Sequence, residues 1–195
     1  MSKYNISLII LLGHCATGVL AQGTLVYDQQ STPGGTKEGG VDIQSSQPIG
    51  QSFTPSLDAV GFTQLFLINL SSSDNAVVYV NLLSGSITGQ NIGQSAPVTV
   101  NIGSEVPVNF FFSTPVTVTP GTTYYLQPVV QSGDALINES FLYSYSGGSA
   151  IFNGTADPGT QLYFREGIII VPEPSTWALF AAGAATLFFR RRKSQ

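Results

Sequence analysis

The most constraining feature of this sequence is a series of short runs of β-branched and aromatic residues, each ended by a cluster of Gly, Pro, Asn or Ser. The runs recur roughly every ten residues, with no helical periodicity between them. Such residues fit a pleated, half-buried surface, whereas the intervening ones favour turns. The pattern predicts an all-β fold, an antiparallel β-sandwich or jelly roll.

Ten strands are predicted in the central region. Alternation of apolar and polar residues is clear in Ala76–Asn81 and Pro115–Pro120, which predicts one buried face and one wet face. No internal repeat is present. The predicted strands are Gly23–Tyr27, Ile49–Thr54, Phe62–Leu70, Ala76–Leu83, Val98–Ile102, Val106–Ser113, Val116–Thr119, Thr123–Val130, Phe141–Ser146 and Gln161–Ile170.

Two glycine-containing segments predict turns or loops. Pro120-Gly121 predicts a type II turn, because proline presets φ at its second position and glycine accepts the positive φ of the third. The polar stretch flanked by Gly34-Gly35 and Gly39-Gly40 is predicted to be a loop.

Composition supports a β-rich exported domain. Hydrophobic residues make up 43% of the chain, enough for a core, whereas charged residues make up only 9%. Soluble domains carry about 25% charged residues, and helix surfaces depend on them. The scarcity of charge therefore argues against a helical protein.

The central region is acidic. Residues 22–171 contain ten acidic side chains and only two basic ones, Lys37 and Arg165, which gives a net charge of −8. Nucleic-acid binding requires a basic surface that neutralises phosphates. A nucleic-acid partner is therefore excluded.

Cysteine and histidine occur once each, as Cys15 and His14, both in an N-terminal segment expected to be removed. The mature domain would then lack disulfides, thiolate or imidazole zinc ligands, and any Ser-His or Cys-His pair. We predict no catalytic residue, no metal site and no cofactor.

A signal peptide is predicted over residues 1–21. Lys3 precedes the apolar stretch Ile6–Leu12, and Ala21 supplies the small residue that signal peptidase prefers before the cut. We expect signal peptidase to cleave between Ala21 and Gln22. Three alternatives remain open: an uncleaved anchor, a first strand of the domain, and lipoprotein processing at Cys15.

The C-terminal segment, residues 171–195, begins with Val-Pro-Glu-Pro-Ser, continues with uncharged residues 176–189, and then carries four cations: Arg190, Arg191, Arg192 and Lys193. As a helix the 15 uncharged residues Ser175–Phe189 span roughly 22 Å, less than the roughly 30 Å of bilayer hydrocarbon, so a buried helix is the alternative. Because long cationic side chains snorkel and form a stop-transfer flank, we predict a transmembrane helix over 176–189. The positive-inside rule then places residues 22–174 outside the cytoplasm, anchored in the inner membrane.

This tail resembles the PEP-CTERM sorting signal of Gram-negative bacteria. The resemblance covers about the last 25 residues and implies that an exosortase recognises a motif of five residues: Val171, Pro172, Glu173, Pro174 and Ser175. It implies that the chain is a substrate of that enzyme, reaches the cell surface or the extracellular space after processing, and is associated with exopolysaccharide or biofilm. A proline-rich linker before an ordinary tail anchor is the alternative.

The predicted organisation is a signal peptide (1–21, a signal helix), a β-sandwich ectodomain (22–170) and a sorting signal (171–195). Two stretches of the ectodomain, Gln51–Pro55 and Phe110–Leu126, resemble β-sandwich ectodomains that often precede PEP-CTERM tails. This second resemblance concerns the fold and assigns no functional residue.

We consider three functions for the domain. The first is a non-enzymatic surface or matrix protein. The second is a carbohydrate-binding module, for which the sequence offers five tyrosines as a stacking platform: Tyr124, Tyr125, Tyr143, Tyr145 and Tyr163. The third is a glycoside hydrolase that uses two carboxylates.

Calcium is a further candidate ligand. Asp74-Asn75 and Asp134 carry the hard oxygen atoms that calcium prefers, but no Asp-x-Asp-x-Asp loop is present. Asp and Asn in turns usually bind their own backbone.

Overall fold

The computed structural model describes residues 23–31 and 39–171. Leu25–Ile169 form one compact unit. Fourteen strands occur within the described ranges: β1 (Thr24–Gln30), β2 (Gly39–Asp42), β3 (Gly50–Phe53), β4 (Ala59–Ile68), β5 (Ala76–Ser84), β6 (Gln90–Gln94), β7 (Val98–Val100), β8 (Glu105–Thr117), β9 (Tyr124–Ser132), β10 (Leu136–Ser140), β11 (Ala150–Phe152), β12 (Thr155–Asp157), β13 (Gln161–Leu162) and β14 (Phe164–Ile170).

Several predictions fall outside this part of the chain: the signal peptide 1–21 with its cleavage site at Ala21 and Gln22, motif residues 172–175, the membrane helix 176–189 and the basic residues 190–193. Residues 23–31 and 39–171 contain no helix of any kind, in agreement with the predicted all-β class. Correspondingly, none of the residues described forms a helix of the length and apolar character that a bilayer crossing needs.

The strands form two antiparallel sheets. In the first, β1, β14, β4, β10 and β13 lie in that order, with β2 paired to β10 and β8 paired to β4. In the second the order is β12, β11, β3, β9, β5 and β6, with β7 paired to β5. The antiparallel pairing agrees with the sequence prediction.

The two sheets share one hydrophobic core, which is the arrangement of a β-sandwich. Core residues come from β4, β8 and β14 of the first sheet and from β3, β5 and β9 of the second. The rings of Phe53 and Phe164 lie 6.3 Å apart and join β3 to β14. A buried amide pair also links the sheets, since Gln51 Nε2 donates to Gln161 Oε1 at 2.8 Å and Gln51 Oε1 accepts the Leu162 N–H at 2.9 Å.

The predicted alternation is confirmed in β5, where Val78, Val80 and Leu82 are buried and the residues between them are half-buried. The predicted turn is also confirmed: Gly121 has φ of +78°, and the Thr122 N–H donates to the Thr119 carbonyl at 3.1 Å. These are the features of a type II turn.

One strand prediction is wrong. Phe141–Ser146 forms turns and irregular structure, and the strand in this region is β10, which ends at Ser140. The Ser140 hydroxyl accepts the Leu142 N–H at 2.9 Å, so the chain turns there. From this irregular segment Tyr143 packs into a small hydrophobic cluster and Tyr145 packs against the main core, whereas Phe141 is exposed.

Other boundaries differ from the prediction. Val106–Ser113 and the first two residues of the predicted strand Val116–Thr119 belong to the single strand β8, which ends at Thr117, while Gln161–Ile170 divides at Tyr163 into β13 and β14. Gly39 and Gly40, which flank the predicted loop, lie in β2 and pair with β10, while the polar stretch itself lies outside the described residues. The missed strands β6, β11 and β12 are short, and β6 and β12 are largely exposed.

Leu126 and Leu142 form a matched pair for testing the core, since the first is fully buried and the second is 65% exposed. We expect Leu126→Ala to lower the free energy of unfolding by about 2–5 kcal/mol, because burial is lost and a cavity remains. Leu142→Ala should change it by less than about 0.5 kcal/mol. Denaturant unfolding of the full-length chain, followed by far-UV circular dichroism, measures both; equal effects would contradict this core.

Candidate functional site

The folded domain ends where the predicted sorting motif begins. Strand β14 ends at Ile170, and Val171, the first motif residue, is exposed. Pro172 follows directly in the sequence. Because proline cannot donate to a strand ladder, the sequence itself ends the strand at this point.

The five predicted tyrosines do not form an exposed platform. Tyr124, Tyr143 and Tyr163 are buried, while Tyr125 and Tyr145 are half-buried. Tyr163 packs edge-to-face on Phe66 with ring centroids 5.7 Å apart and on Tyr143 at 6.4 Å. These rings stabilise the domain rather than present a stacking surface, so the platform prediction is wrong.

The residues weighed as calcium ligands bind their own surroundings. The Asp74 carboxylate accepts the Ser73 hydroxyl at 2.6 Å, and Asn75 Oδ1 accepts the Ile102 N–H at 3.0 Å. Asp134 Oδ1 accepts Gln44 Nε2 at 3.0 Å. These oxygens thus accept hydrogen bonds from other residues of the domain.

A groove of about 410 Å³ lies between strands of the two sheets. Two carboxylates and two phenyl rings line it. Glu139 and Phe141 belong to β10 and the turn that follows it, whereas Phe152 and Asp157 belong to β11 and β12. The remaining lining residues are Val41, Ser46 and Thr160.

The two carboxylates of the groove differ in environment. Asp157 is held by its own turn, since its oxygens accept the Gly159 N–H and the Thr160 hydroxyl, each at 2.9 Å. Burial raises the pKa of Glu139, and the negative charge of Asp157 raises it further. The absence of a side chain at Gly39 leaves room for Glu139, because a Cβ there would lie 2.8 Å from Glu139 Oε1. The groove offers hydrogen-bond acceptors beside an aromatic ring that is largely open to solvent.

The most unusual ionisable group is Glu166, which the sequence analysis assigned to no site. Its side chain is fully buried, and neither carboxylate oxygen accepts a well-formed hydrogen bond from the residues that the structure describes. The position of Glu166 on β14 explains why its side chain is buried. Phe164 faces the core, Arg165 stacks over the rings of Tyr27 and Tyr163 on the opposite face, and Glu166 therefore faces inward.

Strand β1 brings a second carboxylate to Glu166. The Ser31 N–H donates to the Phe164 carbonyl at 3.1 Å, and a Cβ on Gly167 would lie 1.9 Å from the Val26 carbonyl oxygen. Between these two contacts Asp28 falls beside Glu166. Asp28 is itself fixed, because Asp28 Oδ2 accepts the N–H groups of Ser56 at 2.7 Å and Leu57 at 3.0 Å.

A neutral polar network surrounds the two acids. Tyr145 Oη donates to Gln29 Oε1 and accepts the Thr54 N–H, both at 3.1 Å. Gln29 Nε2 donates to Asp28 Oδ1 at 3.1 Å. Burial raises the pKa of Tyr145, the hydrogen bond from the Thr54 N–H lowers it, and the nearby acids Glu166 and Asp28 raise it.

Glu166 is protonated at neutral pH. Burial raises its pKa from 4.5 to about 9, and the nearby Asp28 carboxylate adds to this effect. The Gln29 N–H acts in the opposite direction. The sequence holds the signal for this group: in Phe164-Arg-Glu166, a period of two places the glutamate on the same face as the core phenylalanine.

Comparison with known families supplies the identity of the C-terminal segment. A family profile described as the PEP-CTERM protein-sorting motif matches residues 171–193. The chain has no match among curated proteins. The match contains all nine predicted sorting and stop-transfer residues, from Val171 to Lys193. The chain therefore carries the sorting signal of an exosortase substrate, which implies an exported protein anchored in the membrane and processed there.

The raised pKa of Glu166 gives the stability a defined pH dependence. Between 4.5 and about 9 the folded state keeps a proton that the unfolded state has released. The free energy of unfolding therefore falls as pH rises through this window, by up to about 1.4 kcal/mol per pH unit, and changes no further above it. We expect Glu166→Gln to remove this slope, so that the variant is more stable than the wild type at pH 8.

The measurement is the melting temperature of both chains from pH 5 to pH 9 in buffer with a chelator. Asp58→Asn, at an exposed carboxylate, is the matched control and should keep the wild-type slope. A constant difference between Glu166→Gln and the wild type at every pH would contradict a buried, protonated glutamate.

Proposed function

We propose that this chain is a non-enzymatic surface or matrix protein, released from its membrane anchor by exosortase and retained in exopolysaccharide. The main observation that supports this proposal is the position of the matched motif, which starts at Val171 immediately after the last strand of the domain. Processing within or beyond the motif would leave all the described strands intact. In this proposal the β-sandwich domain is the part that is exported, and the C-terminal sorting signal directs its export.

The composition of the domain supports an extracellular matrix role. Arg165 is the one basic side chain within residues 23–31 and 39–171, and the surface is rich in Ser, Thr, Asn and Gln. Uncharged hydroxyl and amide groups form hydrogen bonds with hydrated polysaccharide without requiring a fixed counter-charge. Signal peptidase is the proposed partner at the N-terminus.

The groove favours a second candidate function, direct binding of a saccharide. Glu139 and Asp157 can accept hydrogen bonds from sugar hydroxyls, and Phe141, 74% exposed, offers a face for stacking. The same pair of carboxylates is what a glycoside hydrolase would use, so activity and binding need separate measurements.

Exosortase processing is tested by the intact mass of the protein recovered from the cell envelope. We expect wild-type cells to contain a shortened form that lacks Arg190–Lys193. Glu173→Ala should leave the unprocessed form in the inner membrane, because the proline-flanked glutamate is the recognition element. Deletion of the exosortase should have the same effect.

Glu38→Ala, at a glutamate outside the motif, is the matched control and should be processed normally. Retention of Arg190–Lys193 in the mature wild-type protein would overturn the processing claim.

Saccharide binding is tested by migration through gels that contain exopolysaccharide from the same cells. If the groove binds sugar, Phe141→Ala should abolish the retardation, while the neighbouring Leu142→Ala should not. Release of reducing ends by the wild type, lost in Glu139→Gln, would replace the non-enzymatic proposal with hydrolysis. No retardation of the wild type would remove this second candidate.

A further inference from the structure

A row of four amide side chains crosses the outer face of the second sheet. Asn81 of β5 lies between the core residues Val80 and Leu82, and it is half-buried. Gln127 of β9 follows the core residue Leu126 and pairs directly with Asn81. Because side chains alternate along a strand, both amides point away from the core.

Hydrogen bonds join these amides from one strand to the next. Asn91 Nδ2 of β6 donates to Asn81 Oδ1 at 3.0 Å, and Asn81 Nδ2 donates to Gln127 Oε1 at 3.2 Å. Gln127 Nε2 donates to Gln47 Oε1 at 3.3 Å, and Gln47 Nε2 donates to the Pro128 carbonyl at 2.9 Å. We call Gln47, Gln127, Asn81 and Asn91 the amide row. Its side chains are held in place by one another and by the backbone of β9.

The two central amides keep hydrogen-bonding groups for a ligand. A primary amide has two N–H donors and two acceptor sites. Among the described residues, Asn81 and Gln127 each use one donor and one acceptor within the row, so one of each kind remains. A hydroxyl group is likewise both donor and acceptor. Neighbouring hydroxyls of a sugar ring can therefore bind both groups of one amide.

The sheet around the amide row is uncharged. Residues 23–31 and 39–171 carry nine acidic side chains and one basic side chain, but β5, β6 and β9 contain none of them. A polyanion would be repelled by the acidic domain, and a polycation would be attracted to the acids elsewhere. The charge distribution therefore favours an uncharged ligand on this face.

The face also lacks the apolar surface that protein partners use. Protein interfaces have cores rich in exposed aromatic and aliphatic side chains. Among the described residues, none of the large hydrophobic side chains that are exposed belongs to β5, β6 or β9. Tyr79, half-buried and two residues before Asn81 on the same side of β5, adds one ring beside the row. Amides next to a single aromatic ring suit a sugar, which has polar hydroxyls and apolar ring faces.

We propose that the amide row binds an uncharged polysaccharide chain, with Asn81 and Gln127 as the central hydrogen-bonding residues and Tyr79 as the adjacent ring. This inference rests on the proposed retention in exopolysaccharide and names the surface that holds the polymer. The face is separate from the groove, whose lining includes no residue of the row. Because the row crosses β9, β5 and β6, it extends about 10 Å and can contact more than one ring of an extended chain.

The test is the binding of the full-length chain, in neutral detergent, to immobilised exopolysaccharide from the same cells. Anion exchange first separates this material into an uncharged and an acidic fraction, and biolayer interferometry measures Kd for each. We expect the wild type to bind the uncharged fraction. Because no charged groups take part, Kd should change less than about twofold between about 0.05 M and 0.5 M NaCl.

The double variant Asn81→Ala/Gln127→Ala should raise Kd by about tenfold or more, because both central amides are lost. Gln44→Ala is the matched control, since it removes an exposed amide away from this face and should leave Kd unchanged. Phe141→Ala, in the groove, should also leave Kd unchanged. The melting temperature reports whether each variant is folded. If the double variant is unfolded, Asn91→Ala, at the exposed end of the row, decides and should raise Kd by about threefold.

The outcomes separate this face from the retention itself. Wild-type binding that is unchanged in the folded row variants overturns the face and leaves retention in exopolysaccharide standing, and a loss of binding in Phe141→Ala alone assigns the polymer to the groove. A wild type that binds neither fraction overturns both proposals. Binding to the acidic fraction alone overturns the uncharged ligand. A dimer in sedimentation velocity that the double variant abolishes identifies a second copy of the chain as the partner instead.

Discussion

The packing of Phe164 is the contact on which the rest of the structure depends. Its ring meets Phe53 across the core at 6.3 Å and Tyr145 edge-on at 5.1 Å, which joins β14 to the second sheet. Its backbone is bonded to Ser31, which fixes the end of β1. Because side chains alternate along a strand, fixing Phe164 toward the core also turns the residue two positions later, Glu166, inward. The burial of Glu166 is therefore a consequence of register, because a shift of one residue would exchange it with Arg165.

The domain replaces charge with neutral hydrogen bonds. Gln51 and Gln161 connect the sheets inside the core, and Ser31 bridges β1 to Leu162 and Phe164. Amide and hydroxyl pairs satisfy buried backbone groups without the desolvation penalty of ion pairs. The Arg165 guanidinium lies over two tyrosine rings, 5.1 Å from the centroid of Tyr27 and 5.6 Å from that of Tyr163. This explains how a chain with 9% charged residues forms an ordered interior.

The sequence was sufficient to predict the fold class, the alternation in β5, the turn at Pro120-Gly121 and the sorting motif, because each depends on local chemistry. Phe141–Ser146 was mispredicted because aromatic residues can enter a core from an irregular segment as well as from a strand. The groove and the Asp28–Glu166 pair could not be found from local patterns, since their members are separated by 18 and 138 residues in the sequence. Only strand pairing brings them together.

Gly167 has a further consequence for the whole molecule. A side chain at this position would strike the Val26 carbonyl, and the first strand would have to leave the sheet. The departing strand would uncover the main-chain amides and carbonyls of β14, which then become free to pair with a neighbouring molecule. The missing methyl group of Gly167 thus allows β1 to cover the main chain of β14.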